Sequence, residues 1–195
     1  MKIFAISLIF LASISIWALP TGTVSKLRGE VYFNGKLLKT NDVINTSGIL
    51  KSKRRSFIKL AISEWNTNIV VGPNSEMKID LSSKAAPKKY SFLKGRCRWK
   101  TNKNIKSSGV IHTNQASLGV RGTDYLLIVN SLLGETEIVV FDGLVDFKNA
   151  TDKADVALLK KNQWGGLGGR YGAKIGKVLD LPTHIISAFD KQLKL

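Results

Sequence analysis

The sharpest pattern of charged side chains in this sequence is Leu93-Lys94-Gly95-Arg96-Cys97-Arg98-Trp99-Lys100. In an extended strand successive side chains point to opposite faces, so Lys94, Arg96, Arg98 and Lys100 share one face of a sheet, and Leu93, Gly95, Cys97 and Trp99 take the other. Like charges side by side repel, so the stripe asks for an anionic counterpart: the chain's own acidic strand, a phosphate-bearing lipid head group, a polyanionic glycan or an acidic protein. It reads equally well as an edge strand whose cations deter pairing with other sheets. The flanking sequence sharpens the stripe. No acidic residue stands between Leu81 and Thr123, whereas Asp124 to Asp155 holds seven acids against Lys148 and Lys153. The 195-residue chain has Lys+Arg 30 against Asp+Glu 14, a formal charge of +16, and part of that excess is open to neutralisation between adjacent strands.

Other chemistry finds little to work with. The one cysteine, Cys97, makes no internal disulfide and reads as a small buried side chain; with only His112 and His184 beside it, no zinc spacing exists. Gly165 to Gly172 fit neither the Gly-x-Gly-x-x-Gly nor the Gly-x4-Gly-Lys-Ser/Thr phosphate loop, and Gly176-Lys177 is followed by Val178; the cluster reads as a flexible loop. There is no Gly-x-Ser-x-Gly nucleophile elbow, and His112 sits in an apolar run as a satisfied core or edge residue. Glu137, Asp142 and Asp146 could pair as acid and base, but carboxylates on alternating strands more often face solvent. The expectation is a protein with no catalytic residues, no cofactor and no metal.

The elements that must position the stripe are short. From Leu19 to about residue 150, runs of β-branched, aromatic and aliphatic residues are broken by Asn34-Gly35, Ser47-Gly48, Gly72-Pro73-Asn74, Leu133-Gly134 and Asp142-Gly143, the residue types that tight turns need. That spacing predicts an all-β domain of short strands that stack or wrap around one core, with no room for βαβ units. Past residue 155, Ile185, Ile186, Phe189 and Leu193 fall on one face of a helix with Pro182 in its first turn, predicting one short C-terminal helix packed on the β body. The domains read as a signal peptide over 1–18, a β domain over 19–154, and a glycine-rich loop with the helix over 155–195. The first of these starts with Lys2, continues through an apolar run from Ile3, and ends in Ile16-Trp17-Ala18 with cleavage expected after Ala18. The run is short for a bilayer span, so no stable transmembrane helix is expected after cleavage. Export disfavours nucleic acid as a partner, and the aromatics lack a stacking-platform pattern.

Val110-Ile111-His112-Thr113-Asn114-Gln115-Ala116-Ser117-Leu118-Gly119-Val120-Arg121-Gly122-Thr123-Asp124-Tyr125 resembles the signature of the FecR-domain family. Further matches follow in order, among them Gly29-Glu30-Val31, Gly72-Pro73-Asn74-Ser75-Glu76-Met77, Leu93-Lys94-Gly95, Val139-Val140-Phe141-Asp142-Gly143 and Lys161-Asn162-Gln163-Trp164-Gly165, so the resemblance covers residues 24 to 166. It implies an extracytoplasmic, solenoid-like all-β domain in which Arg121, Gly122 and Thr123 are structural: Gly122 allows a sharp corner, and Arg121 hydrogen-bonds loop carbonyls or a carboxylate within the fold. Signalling members of the family carry a cytoplasmic anti-sigma segment and a membrane helix before this domain, and a signalling subdomain after it. Here the start reads as a signal peptide and 155–195 is short for that subdomain, so only the exported domain carries over. The resulting expectation is a periplasmic, or secreted, non-enzymatic binding or scaffold module that meets an anionic envelope component or an acidic protein through Lys94, Arg96, Arg98 and Lys100. The alternative is an orphan signalling component that contacts a transporter or an anti-sigma partner by strand addition. An envelope hydrolase lacks a nucleophile or metal constellation to stand on.

Overall fold

The computed structural model describes residues 20–63, 66–82, 89–102 and 109–193. The expected signal peptide, and Lys84, Lys88, Lys103 and Lys106 of the basic block, lie outside the described residues. The first half of the chain forms β1 (Gly22–Arg28), β2 (Val31–Phe33), β3 (Lys36–Leu37), β4 (Val43–Ile44), β5 (Ser47–Ser52), β6 (Phe57–Ile62), β7 (Thr67–Val71), β8 (Glu76–Asp80) and β9 (Tyr90–Thr101). The second half adds β10 (Gly109–His112), β11 (Ala116–Asn130), β12 (Glu135–Asn149), β13 (Val156–Leu159), β14 (Gln163–Leu167), β15 (Leu179–Asp180) and α1 (Thr183–Asp190). All fifteen strands join in one hydrogen-bonded sheet that wraps, barrel-like, around a single main core.

Period-two alternation builds that core. Ile58, Leu60 and Ile62 of β6, Ile69 and Val71 of β7, Met77 and Ile79 of β8 and Leu118, Tyr125 and Leu127 of β11 are all buried. Each such side chain removed from water stabilises the fold by about 1.5–3 kcal/mol before conformational entropy is set against it. The largest member is Trp99, whose indole meets Tyr90 edge to face at 5.0 Å and donates through Nε1 to Thr101 Oγ1 at 3.1 Å.

The sheet wraps because its two longest strands bend together. β11 pairs with β12 on both sides of a register shift between Arg121 and Asp124, and at that point Gly122 and Gly143 both take positive φ, +58° and +84°. The first half of β11 pairs with β10 and the second half with β9, so this corner carries the chain from one wall of the wrap to the next. Gly122 lies at this change of direction. Asp142-Gly143, expected to end a strand, instead lies inside β12 as a bulge, because the partner strand bends with it.

Two other turn expectations are corrected. Ser47-Gly48 opens β5: the Asn34 amide accepts from Ile49 N–H at 2.9 Å and donates to the Ser47 carbonyl at 3.1 Å, and it lies where a Cβ on Gly48 would be. The glycine cluster, expected as a flexible loop, runs as β14 against β12 before turning at Gly169–Tyr171. Gly166 is small so that Trp164 and Tyr171 can close over it, their rings meeting at 5.2 Å and 70°. The C-terminal helix forms as expected, with Pro182 directly before Thr183 and with Ile186, Phe189 and Leu193 facing the sheet.

Candidate binding face

β9 brings the basic stripe to the outside of the wrap. Lys94, Arg96, Arg98 and Lys100 point outward, while Cys97 and Trp99 are buried in the core. The alternation changes phase once. At the register shift between Glu76 and Met77, Leu93 is the extra residue and Phe92 faces inward in its place, while Gly95 takes φ +97° against Ser75. Ser75 fills the space a side chain at 95 would need: its Oγ accepts from the Arg96 N–H at 3.1 Å and donates to the Pro73 carbonyl at 3.1 Å. The strand is not an edge. It pairs with β7 and β8 on one side and with β10 and β11 on the other, so protection from edge pairing does not account for its cations.

The four cations meet different surroundings, set by the register. Arg98 lies between Val70 of β7 and Leu126 of β11, and Leu126 lies opposite Val139 of β12. That apolar row, with Phe141 and Ile128, is covered by Ile186, Phe189 and Leu193 from the C-terminal segment, a second small core on the outer face. Arg98 is enclosed there with only 14% of its side chain exposed. Its Nε and Nη2 donate to the two oxygens of Asp124 at 2.8 and 2.9 Å, and Nη1 donates to the Asp190 carbonyl at 3.2 Å. Nη2 also lies 2.8 Å from Asp190 Oδ1, and the guanidinium sits 4.6 Å above the Phe141 ring. Burial works against this charge, but the hydrogen bonds and charges of Asp124 and then Asp190 outweigh it and raise the Arg98 pKa above its usual value. Asp124 also takes Lys100, 3.5 Å away. The first residue of the acidic stretch thus neutralises the middle of the basic one.

Arg96 and Lys94 are left to the solvent side. Arg96 donates to the exposed Gln192 side chain at 3.1 Å. Lys94 lines two adjoining grooves with Asn74: one of about 680 Å³ that runs past Tyr32, Lys51 and Lys53, and one that runs past Arg96 to Leu132. Within the first, Lys51 pairs with Glu76 at 3.3 Å, Lys53 lies 5.9 Å from the Tyr32 ring, and the Tyr32 hydroxyl donates to Glu30 at 2.8 Å. That hydrogen bond, with a small contribution from burial and the Glu30 charge, raises the Tyr32 pKa, so the phenol stays protonated around neutrality. The sequence stripe therefore resolves into a closed ionic cluster at Arg98 and two adjoining open grooves, which share Lys94 and one of which Arg96 lines.

The remaining sequence candidates fall elsewhere. Cys97 is buried, and burial pushes its thiol far up, so it is a packing residue. Glu137 accepts from Trp164 Nε1 and from Arg170 at 3.3 Å each, Asp146 is exposed on β12, and Asp142 lies opposite Asp124 in the register. The three are not gathered into one site. Thr123 is buried beside the Gly122 corner, and the Arg121 side chain lies outside what is described. Among the described residues no group of three or more His, Cys, Asp or Glu is placed to hold a metal ion. Sequence reasoning missed Lys51, Lys53 and Tyr32, which reach the groove only because β2, β5 and β8 pair side by side.

Fold and face together define an all-β wrapped-strand domain with a charged outer groove. Residues 51–146 match the family described as FecR protein, so this segment is similar to a FecR domain. Two crystal structures of a candidate anti-sigma factor from Parabacteroides distasonis ATCC 8503 share the fold, with TM-scores of 0.60 and 0.59 at 12% identity, over 73% of this chain and 64% of theirs. The chain spans just under two thirds of the length of those structures. No curated protein matches it in sequence.

Proposed function

We propose that this chain is a non-enzymatic FecR module of the bacterial envelope that binds an anionic partner through the groove around Lys94 and Arg96. The observation that carries the reading is the division of the basic stripe: Arg98 is consumed by Asp124 and Asp190, whereas Lys94 lines one open groove with Lys51 and Lys53 and an adjoining one with Arg96. Exposed cations clustered in a concave surface attract polyanions and lose that attraction as salt screens them. The family match and the exported reading of the N-terminus support a partner in the periplasm or at its boundaries. Binding of the purified chain to phosphatidylglycerol vesicles, lipopolysaccharide and polyglutamate, titrated with salt, tests the proposal. The expected result is salt-sensitive binding that weakens about tenfold or more in the double variant Lys94→Glu, Arg96→Glu, each cation near an anionic surface contributing about 1 kcal/mol. Absence of binding to all three at low salt would sink it.

A second reading, signalling by protein contact, draws on β13. This strand pairs with β12 alone and leaves Val156 and Leu158 half exposed beside Leu144. A free edge with apolar side chains is a docking template for a strand of another protein. If that operates, a transporter or anti-sigma protein captured from envelope extract is lost with Leu158→Pro, which removes a backbone donor, and is kept with Lys94→Glu. The opposite pattern would discard this reading in favour of the groove.

A further inference from the structure

The hairpin that joins β11 to β12 ends in two exposed leucines. Leu132 is 95% and Leu133 55% exposed, the former the most exposed large apolar side chain of the described residues. Turn positions are ordinarily filled by Gly, Asn, Asp or Ser, and a leucine left in water there contributes nothing to folding. The tip is nevertheless firmly built. The Asn130 side chain accepts from the N–H of Leu132 and of Leu133 at 3.2 and 3.3 Å, Gly134 takes the left-handed conformation at φ +63°, and Gly168 and Gly169 press on the carbonyls of Gly134 and Leu133. Both leucines are thus held outward at the end of the two longest strands.

Cations surround this tip. Lys94 and Arg96 line the groove that ends at Leu132. The turn bearing the exposed Lys53, Arg54 and Arg55 joins the same end of the sheet, since the Asn74 N–H donates to the Lys53 carbonyl and Asn74 lines that groove as well. The acids at this end are engaged: Glu76 with Lys51, Glu30 with Tyr32, and Glu135 and Glu137 with Arg170. A rigid apolar point inside a cationic rim is the complement of an anionic bilayer, whose head groups meet the rim while its acyl boundary takes the leucines. An acidic protein would match the rim but would need its own apolar pocket for the tip.

We propose that Leu132 and Leu133 enter the surface of an anionic phospholipid bilayer and seat this end of the domain on a membrane. The inference rests on the anionic-partner reading above and names that partner. The test uses the full-length chain carrying Leu132→Cys, with the new thiol labelled by a polarity-sensitive fluorophore; the buried Cys97 does not compete. With phosphatidylglycerol-containing vesicles the emission is expected to shift to the blue and to be quenched by spin labels near the head groups, and with phosphatidylcholine vesicles to stay unchanged. In the unlabelled chain, Leu132→Ser with Leu133→Ser is expected to lower the partition coefficient on phosphatidylglycerol vesicles by about tenfold, from the apolar area lost. Salt-sensitive sedimentation with those vesicles and no emission shift overturns insertion while leaving the basic groove standing. Binding to soluble polyglutamate with the vesicles ignored also overturns it, in favour of an acidic protein. Binding to neither removes both readings.

Discussion

Arg98→Ala is expected to lower the stability of the domain by about 3–5 kcal/mol, the range for breaking a buried ion pair from one side. The residue holds two carboxylates at once. Asp124, only 10% exposed, would be left with Lys100, at 3.5 Å, as its ion-pair partner. Asp190 would lose its ion pair with β9, one of the contacts that join the end of α1 to the sheet beneath Ile186, Phe189 and Leu193. For a chain of this size the loss corresponds to a fall in melting temperature on the order of 10 °C. Two companions separate charge from packing. Asp190→Ala removes the more exposed partner, 29% open to solvent, and is expected to cost about 1 kcal/mol, since solvent screens that end. The double variant Arg98→Leu, Asp124→Leu removes both buried charges together and is expected to recover most of the loss. Thermal and urea unfolding followed by tryptophan fluorescence measure all three. An Arg98→Ala chain that melts with the parent would show that the cluster contributes only net neutrality.

Gly143→Ala is the second large effect. A Cβ there would stand 2.7 Å from the Gly122 carbonyl oxygen and about as close to Thr123, and the backbone sits at φ +84°. The left-handed conformation alone disfavours alanine by about 1–2 kcal/mol, and here the opposing atom is backbone at the corner where β11 and β12 bend together. The expected loss is therefore about 2 kcal/mol or more. Gly35→Ala serves as the control, because Gly35 has φ +80° but nothing within 4 Å of its would-be Cβ. Denaturant midpoints of the two variants separate the conformational cost from the steric one. Equal losses at both positions would mean the bend tolerates a side chain.

Much of this architecture was legible in the order of residues. Alternation named most of the strands, the outward stripe on β9 and the helix after Pro182, because those features depend on neighbours in sequence. The long strands were harder to read. Asp142-Gly143 and Ser47-Gly48 have the composition of turns, yet each lies within or at the start of a strand because a partner 18 or 13 residues away bends or bridges beside it. The glycines before Tyr171 were read as freedom, and they are places where rings close on the backbone. The site divided the same way. Four cations on one face followed from period two, but which of them would be consumed depended on Asp124 and Asp190, set by pairing and by helix docking. The leucines at the hairpin tip sat beside the Leu133-Gly134 turn signal, and a turn signal preceded by two leucines is the pattern that would have disclosed them.

The helix that covers Arg98 also fixes when the molecule can be finished. The Arg98–Asp190 hydrogen bond joins residues 92 apart in sequence, and the outer core needs Leu193 as well as Val70. A chain made from its N-terminus cannot close this cluster until its last turn has been added. Native structure therefore locks at the end of synthesis, and until then Val70, Leu126 and Phe141 stay open to solvent or to any chaperone that meets the chain.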